Sequence, residues 1–160
     1  MSGADEMRAG AEDSTIEYVT VQIADQLFGL PINRVQDVFM PEKITRVPLS
    51  PPEIAGVLNL RGRIVTAIDM RRRLGLPSRE NVAHSMAVGI EHKGESYGLL
   101  IDSVGEVMRL PAAGLEPNPG NLDRLWVQVA AGVQRLDGRL MVVLDVDRVL
   151  DMGAGPAIAA

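Results

Sequence analysis

Three observations predict a mainly β protein built from two similar units. A stretch of the chain is echoed further on; apolar residues come in short alternating or clustered runs; and Gly, Pro, Asn and Asp break those runs at regular intervals. Phe28-Gly-Leu-Pro-Ile-Asn-Arg-Val-Gln-Asp-Val38 returns 69 residues later as Tyr97-Gly-Leu-Leu-Ile-Asp-Ser-Val-Gly-Glu-Val107. Ala55-Gly-Val-Leu-Asn-Leu-Arg-Gly-Arg-Ile-Val-Thr-Ala-Ile-Asp69 returns 76 residues later as Ala131-Gly-Val-Gln-Arg-Leu-Asp-Gly-Arg-Leu-Met-Val-Val-Leu-Asp145. The different offsets place a length change between the two repeated blocks. Helices of ten or more residues, which a doubly wound sheet needs between its strands, are absent from the pattern, so two small barrels or sandwiches are expected.

Along the chain, residues 1–14 mix mostly Gly, Ala, Ser, Asp and Glu with little to pack and read as a disordered tail; 153–160 read the same way. Strands are expected near 16–23, 26–32, 34–39, 56–61, 63–68, 85–92, 96–101, 104–109, 126–136 and 139–144. Ala24-Asp-Gln26, Arg61-Gly-Arg63, His92-Lys-Gly-Glu95 and Leu136-Asp-Gly-Arg139 supply the turns between apolar runs. Ser50-Pro-Pro-Glu53 has the residues of an N-cap, a first-turn proline and a capping-box acid, which predicts one helical turn. Asp69 to Gly75 and Asp145 to Gly153 each open on a capping Asp and stop at a Gly, so each copy of the repeat closes alike.

Composition narrows the function. Aromatics are only 3% of a chain that is 46% hydrophobic, so aliphatic side chains fill the interior. A net charge of -5, with no basic face carrying interleaved aromatics, argues against nucleic acid. The basic run Arg71-Arg-Arg73 reads as a solvated helix face. No cysteine is present, which removes disulfides, thiolate metal sites and thiol catalysis. No apolar run approaches the roughly 20 residues that span a bilayer, and the acidic N-terminus is not a signal peptide, so a soluble intracellular protein without membrane insertion is expected.

Catalytic signals are equally sparse. His84 and His92 both fall in or beside expected turns, and no metal-ligand spacing, nucleophile elbow or phosphate loop occurs. Asp69 and Asp145 end apolar runs as a phospho-accepting aspartate does, yet their shared place in the repeat favours helix capping. The reading is a recognition protein with no cofactor and no metal. Asp37, ending one expected strand, and Arg61, at a turn, are candidates for a charge-assisted contact between strands. Val35, Val38, Val104 and Val107 occupy matching places in the two copies, either in the core or at a groove between the units that could receive a partner helix.

These blocks resemble the CheW-like domain of chemotaxis coupling proteins. The resemblance is carried by Tyr18 to Ile23, by Phe28 to Val38, by Gly56-Val-Leu-Asn-Leu-Arg-Gly-Arg-Ile-Val65 with Ile68-Asp-Met70, and by Tyr97 to Val107 with Ala131-Gly-Val133. It covers about residues 15–152. It implies a single domain of two intertwined SH3-like five-stranded β-barrels with few short helices. The implied function is a non-enzymatic scaffold that couples the cytoplasmic tip of chemoreceptors to the regulatory domain of the histidine kinase CheA. The implied location is the cytoplasm, at membrane-associated receptor arrays. Carried over by position, Val35, Asp37, Gly56, Asn59, Arg61, Val104 and Val107 form the receptor-facing region, and Gly56 and Gly132 serve strand geometry. Two departures stand out: Thr66 replaces a usual Pro, and Asp37 a usual Glu. Since CheA and CheV also carry this domain, the chain's length favours a stand-alone coupling protein. The alternatives are an adaptor of a chemosensory-like pathway controlling pili, biofilm or development and, from another class, a phospho-accepting signalling domain.

Overall fold

The computed structural model describes residues 14–77 and 86–151. The expected tails, apart from Ser14, lie outside these residues, as do His84, the first residue of the 85–92 strand and the Gly153 expected to end the last helix. The elements are β1 (Thr15–Ile23), β2 (Gln26–Pro31), a 3-10 turn (Ile32–Arg34), β3 (Asp37–Phe39), β4 (Ile54–Leu60), β5 (Arg63–Asp69) and α1 (Met70–Arg73). They continue with β6 (Met86–His92), β7 (Glu95–Ile101), β8 (Ser103–Pro111), a 3-10 turn (Ala112–Gly114) and β9 (Leu115–Glu116). The last are α2 (Arg124–Val129), β10 (Ala130–Leu136), β11 (Arg139–Leu144) and α3 (Val146–Leu150). The fold is mainly β with short helices, as expected.

The strands form a five-stranded sheet, β3-β6-β7-β5-β4, and a six-stranded sheet, β8-β1-β2-β11-β10-β9. Under the repeat these orders superpose strand for strand, β3 on β8, β6 on β1, β7 on β2, β5 on β11 and β4 on β10. The sixth strand, β9, has its counterpart in the isolated bridge between Thr45 and Val57. The two repeat copies are not the two sheets. Each copy gives its first hairpin to one sheet and its last hairpin to the other, joined by the parallel pairs β5–β7 and β2–β11. The chain therefore builds part of the six-stranded sheet, makes the whole five-stranded sheet and returns. It crosses between sheets twice, at β2–β3 and at β7–β8.

Strand alternation explains why the runs are apolar on both faces. On β11, Val142 and Leu144 enter a large core shared by both sheets, whereas Met141 and Val143 enter a small core with Tyr18 and Leu27. On β5, Ile68 faces the shared core, and Val65 and Ala67 join Leu58, Ala87 and Leu100 in the other small core. A period of two with both sides buried yields the clustered hydrophobic runs of the sequence.

Four local expectations fail, each for a stated reason. Residues 126–129, the start of the expected 126–136 strand, belong instead to a helix over 124–129: Asp123 caps Leu125 N–H, and Trp126 packs on Phe28 at 5.3 Å while its Nε1 donates to Leu74 O at 2.9 Å. Tertiary docking of the indole overrides β propensity there. Residues 34–36 precede β3 because Val35 N–H closes a 3-10 turn onto Ile32 O. Ser50 begins no helix, since its hydroxyl donates backward to Val47 O at 2.8 Å and Ile54 N–H closes a single turn on Pro51 O. The arginine run is not a solvated face. Arg71 pairs with Asp102, and Arg73 donates to Val149 O and Arg148 O, closing the end of α3, with only Arg72 of the three half-exposed or more. Burial pulls the Arg73 guanidinium below its usual range, against the opposing charges of Glu53 and Asp151.

Candidate functional site

Cross-strand partners in a sheet share a face. Val38 is opposite Val88, and Val107 is opposite Val19, and both of those partners belong to the shared core. Val104, opposite Val21, lies on that same side because a bulge between Val19 and Val21 adds a residue to β8; Thr20 Oγ1 holds it by donating to Glu106 O at 2.6 Å. Val35 and Val104 pack against the shared core, while Val38 is 39% and Val107 50% exposed. The repeat thus sets one packed and one exposed valine in each copy: Val35, just before β3, with Val38 on it, and Val104 with Val107 on β8. Alternation alone cannot reveal this on β8, because the bulge shifts the period.

Asp37 lies on the opposite face of β3 and sits over Gly89, where a Cβ would collide with its Oδ1. Arg61 is elsewhere: it is exposed at the β4–β5 turn, with Arg61 at φ 54 and Gly62 at φ 84, both left-handed as a two-residue hairpin requires. Asn59 Oδ1 accepts Gly62 N–H at 2.8 Å and steadies that turn. The expected Asp37–Arg61 pair is not among the ion pairs of the described residues. β3 and β4 are the opposite outer strands of their sheet, with β6, β7 and β5 between them, and the aspartate side chain is too short to cross.

What joins those two outer strands is a groove of about 510 Å³ lined by Phe39, Met40, Leu60, Arg61 and Ile64 among others. Met40 and Ile64, 59% and 62% exposed, form its apolar rim, and Asn59 and Arg61 its polar one. Gly56 does not line the groove but packs closely on Thr45, which does. It has φ 149 at a bulge of β4, and a Cβ there would strike the Thr45 carbonyl oxygen. Gly132 repeats this with φ 158 against Glu116 O in the bulge of β10, which is the strand-geometry role expected of both glycines.

Three features have no clear sequence signal. Leu49 is fully exposed at φ 64 in the Val47–Ser50 turn, a conformation that suits glycine. The two crossings between sheets each carry an Arg–Asp pair, Arg71–Asp102 at β7–β8 and Arg34–Asp147 at β2–β3. Arg34 holds the Asp147 carboxyl below the usual range, with His92 assisting, and burial beside Glu95 pushes the Tyr97 phenol up. Asp69 is buried and its Oδ1 accepts Arg71 and Arg72 N–H at the start of α1, a helix cap. Among the described residues no three His, Asp or Glu side chains gather as a metal-ligand set, and no helix is long and apolar enough to cross a membrane.

Residues 17–154 match the family model of the CheW-like domain. The chain is 26% identical over 133 residues to the "Chemotaxis protein CheW" of Rhizobium meliloti, covering 83% of this chain and 86% of that protein. It is 29% identical over 135 residues to that of Thermotoga maritima, covering 84% and 87%. Among solved structures it is similar to the scaffolding protein TtCheW of Thermoanaerobacter tengcongensis, with a TM-score of 0.76, 28% identity and coverage of 88% of this chain and 94% of that one. With two interleaved sheets, a shared core and a family match across nearly all of the folded chain, the protein belongs to the CheW-like domain family.

Proposed function

We propose that this protein is a non-enzymatic chemotaxis scaffold that couples chemoreceptors to the histidine kinase CheA. The observation that carries the reading is its likeness, over 94% of the other chain's length, to the scaffolding protein TtCheW. The surface supports it: exposed apolar residues sit on the core-facing side of both outer strands, and a separate groove rimmed by Met40, Ile64 and Arg61 lies on the five-stranded sheet. Val35, Asp37, Gly56, Asn59, Arg61, Val104 and Val107, with Val38, serve the receptor side, where a coiled-coil helix would lay its apolar stripe. The regulatory domain of CheA docks on the barrel surfaces. The output is a coupling free energy between the two partners, held by fixed geometry in the cytoplasm at receptor arrays.

The test is binding of purified protein to a receptor cytoplasmic fragment and to the CheA regulatory domain, measured with wild type, Arg61→Ala and Val107→Asp. Both variants are expected to keep the native circular dichroism spectrum, since both side chains are exposed. Weakened receptor binding with retained kinase binding is the expected result. Binding of neither partner by the wild type refutes the coupling role.

A further inference from the structure

The two crossings between sheets are pseudo-equivalent but chemically different. At β7–β8, Arg71, the second residue of α1, holds Asp102, which also accepts Ala24 N–H at 2.8 Å. At β2–β3 the charges are exchanged: Asp147, the second residue of α3 and 76 positions after Arg71, holds Arg34. The place of the Ala24 amide is here taken by a side chain. His92 Nδ1 lies 3.2 Å from Asp147 Oδ1, the same oxygen that accepts Arg34 Nη1 at 2.9 Å.

His92 is well placed to act through that oxygen. Its side chain is 14% exposed, against 64% for Asp147, so the ring is fixed and the carboxylate is the movable partner. Ionisable groups face it from each neighbouring element: Asp147 on α3, Arg34 on the crossing, Tyr97 on β7 with ring centroids at 6.3 Å, and Glu95 on β7 as its cross-strand partner. On its own strand and turn are Glu91, bound to Gln36, and Lys93. Val35 follows Arg34 directly, and Gln36 N–H donates to Gly89 O at 2.8 Å. The crossing is therefore pinned by Arg34 at one end and by β6 at the other.

We propose that His92 is a positioning residue which, through Asp147 and Arg34, makes the placement of the Val35–Asp37 crossing depend on pH, whereas the Arg71–Asp102 crossing does not. Histidine is the side chain that ordinarily changes charge between about pH 5 and 8. A neutral ring gives Asp147 one hydrogen bond; a protonated ring makes that bond charge-assisted and sets the carboxylate between two cations. Asp147 is then less free to leave Arg34, and the crossing is held in the arrangement seen here. Better order before binding means less to lose on binding. The part of this inference that concerns receptors rests on the assignment of Val35 and Asp37 to the receptor side.

The experiment is a magnetic-resonance titration of the isotope-labelled full chain from about pH 8 to about pH 5.5, spanning the imidazole range, in wild type, His92→Gln and Asp147→Asn. The expected result is that the amides of Val35, Gln36 and Asp37 move with the His92 ring in wild type and not in either variant, while the Ala24 amide stays still throughout. Receptor-fragment affinity should rise roughly two- to fivefold on acidification in wild type, the range of one exposed ion pair, and lose that increment in His92→Gln. Crossing amides that ignore the His92 ring, or that move equally in His92→Gln, overturn the proposal. If they follow the ring but the fragment binds at no pH, the clasp stands and the receptor assignment falls.

Discussion

Arg71 grips Asp102 at two points, Nε to Oδ1 at 3.0 Å and Nη2 to Oδ2 at 2.6 Å, and so ties α1 to the crossing between β7 and β8. The aspartate raises the guanidinium's proton affinity, chiefly by that hydrogen bonding. Both side chains are largely covered, at 22% and 16% exposure, and Asp102 also holds the β1–β2 turn. Asp102→Asn should cost about 1.5–3 kcal/mol, the range for hydrogen bonds to charged groups. Urea denaturation followed by circular dichroism measures it; a loss within error would mean that the crossing is held by packing alone.

Gly56→Ala and Gly132→Ala should each destabilise by roughly 2 kcal/mol or more, because an L side chain at positive φ would also strike a backbone carbonyl. The repeat makes this a paired prediction. If one variant is benign, the bulge around it relaxes and the pseudo-equivalence is not energetic. Any loss of receptor binding in Gly56→Ala must accordingly be read beside its thermal midpoint.

Leu49→Gly should stabilise the protein. Relief of the left-handed conformation is worth about 1–2 kcal/mol, offset by about 0.5–1 kcal/mol of added chain entropy, and no buried contact is lost because the side chain is fully exposed. A thermal melt showing a lower midpoint would reveal a contact made by Leu49 that the structure does not contain.

Acid stability carries the signature of Asp147. Its folded-state pKa lies below the ordinary aspartate range, first through the hydrogen bond from Arg34. A depressed carboxyl contributes stability that is present above its unfolded pKa and is lost as pH falls through the folded one. Urea midpoints measured from neutral pH downward should fall more steeply below the ordinary carboxylate range in wild type than in Asp147→Asn. Parallel curves would show that the Arg34 contact is not maintained in solution.

Much of the fold was legible because turns and caps are local chemistry. The hairpins at Arg61-Gly62, Lys93-Gly94 and Asp137-Gly138 and the caps at Asp69 and Asp145 stand where their residue types predict. The helix at 124–129 was not legible, because Trp126 is drawn to Phe28 and Leu74, which are remote in sequence. For the proposed site, the sequence names candidate residues but not their arrangement. The four valines were visible as equivalents, but which pack and which are exposed depends on the Thr20 bulge and the rim of the shared core.

By itself the sequence determined the duplication, the strand content and the aliphatic interior, since periodicity, turn residues and composition act within a few positions. Only the tertiary structure decided that the copies exchange hairpins, so that neither copy is a sheet. Parallel pairing of β5 with β7 and of β2 with β11 lets the two sheets bury one common core, a gain no single copy can reach. It also decided which charges meet. Arg71 finds Asp102, and Arg34 and His92 find Asp147, across 31, 113 and 55 positions of chain, whereas Asp37 and Arg61, the pair suggested by residue type, remain apart, one on β3 and the other in the β4–β5 turn across the sheet.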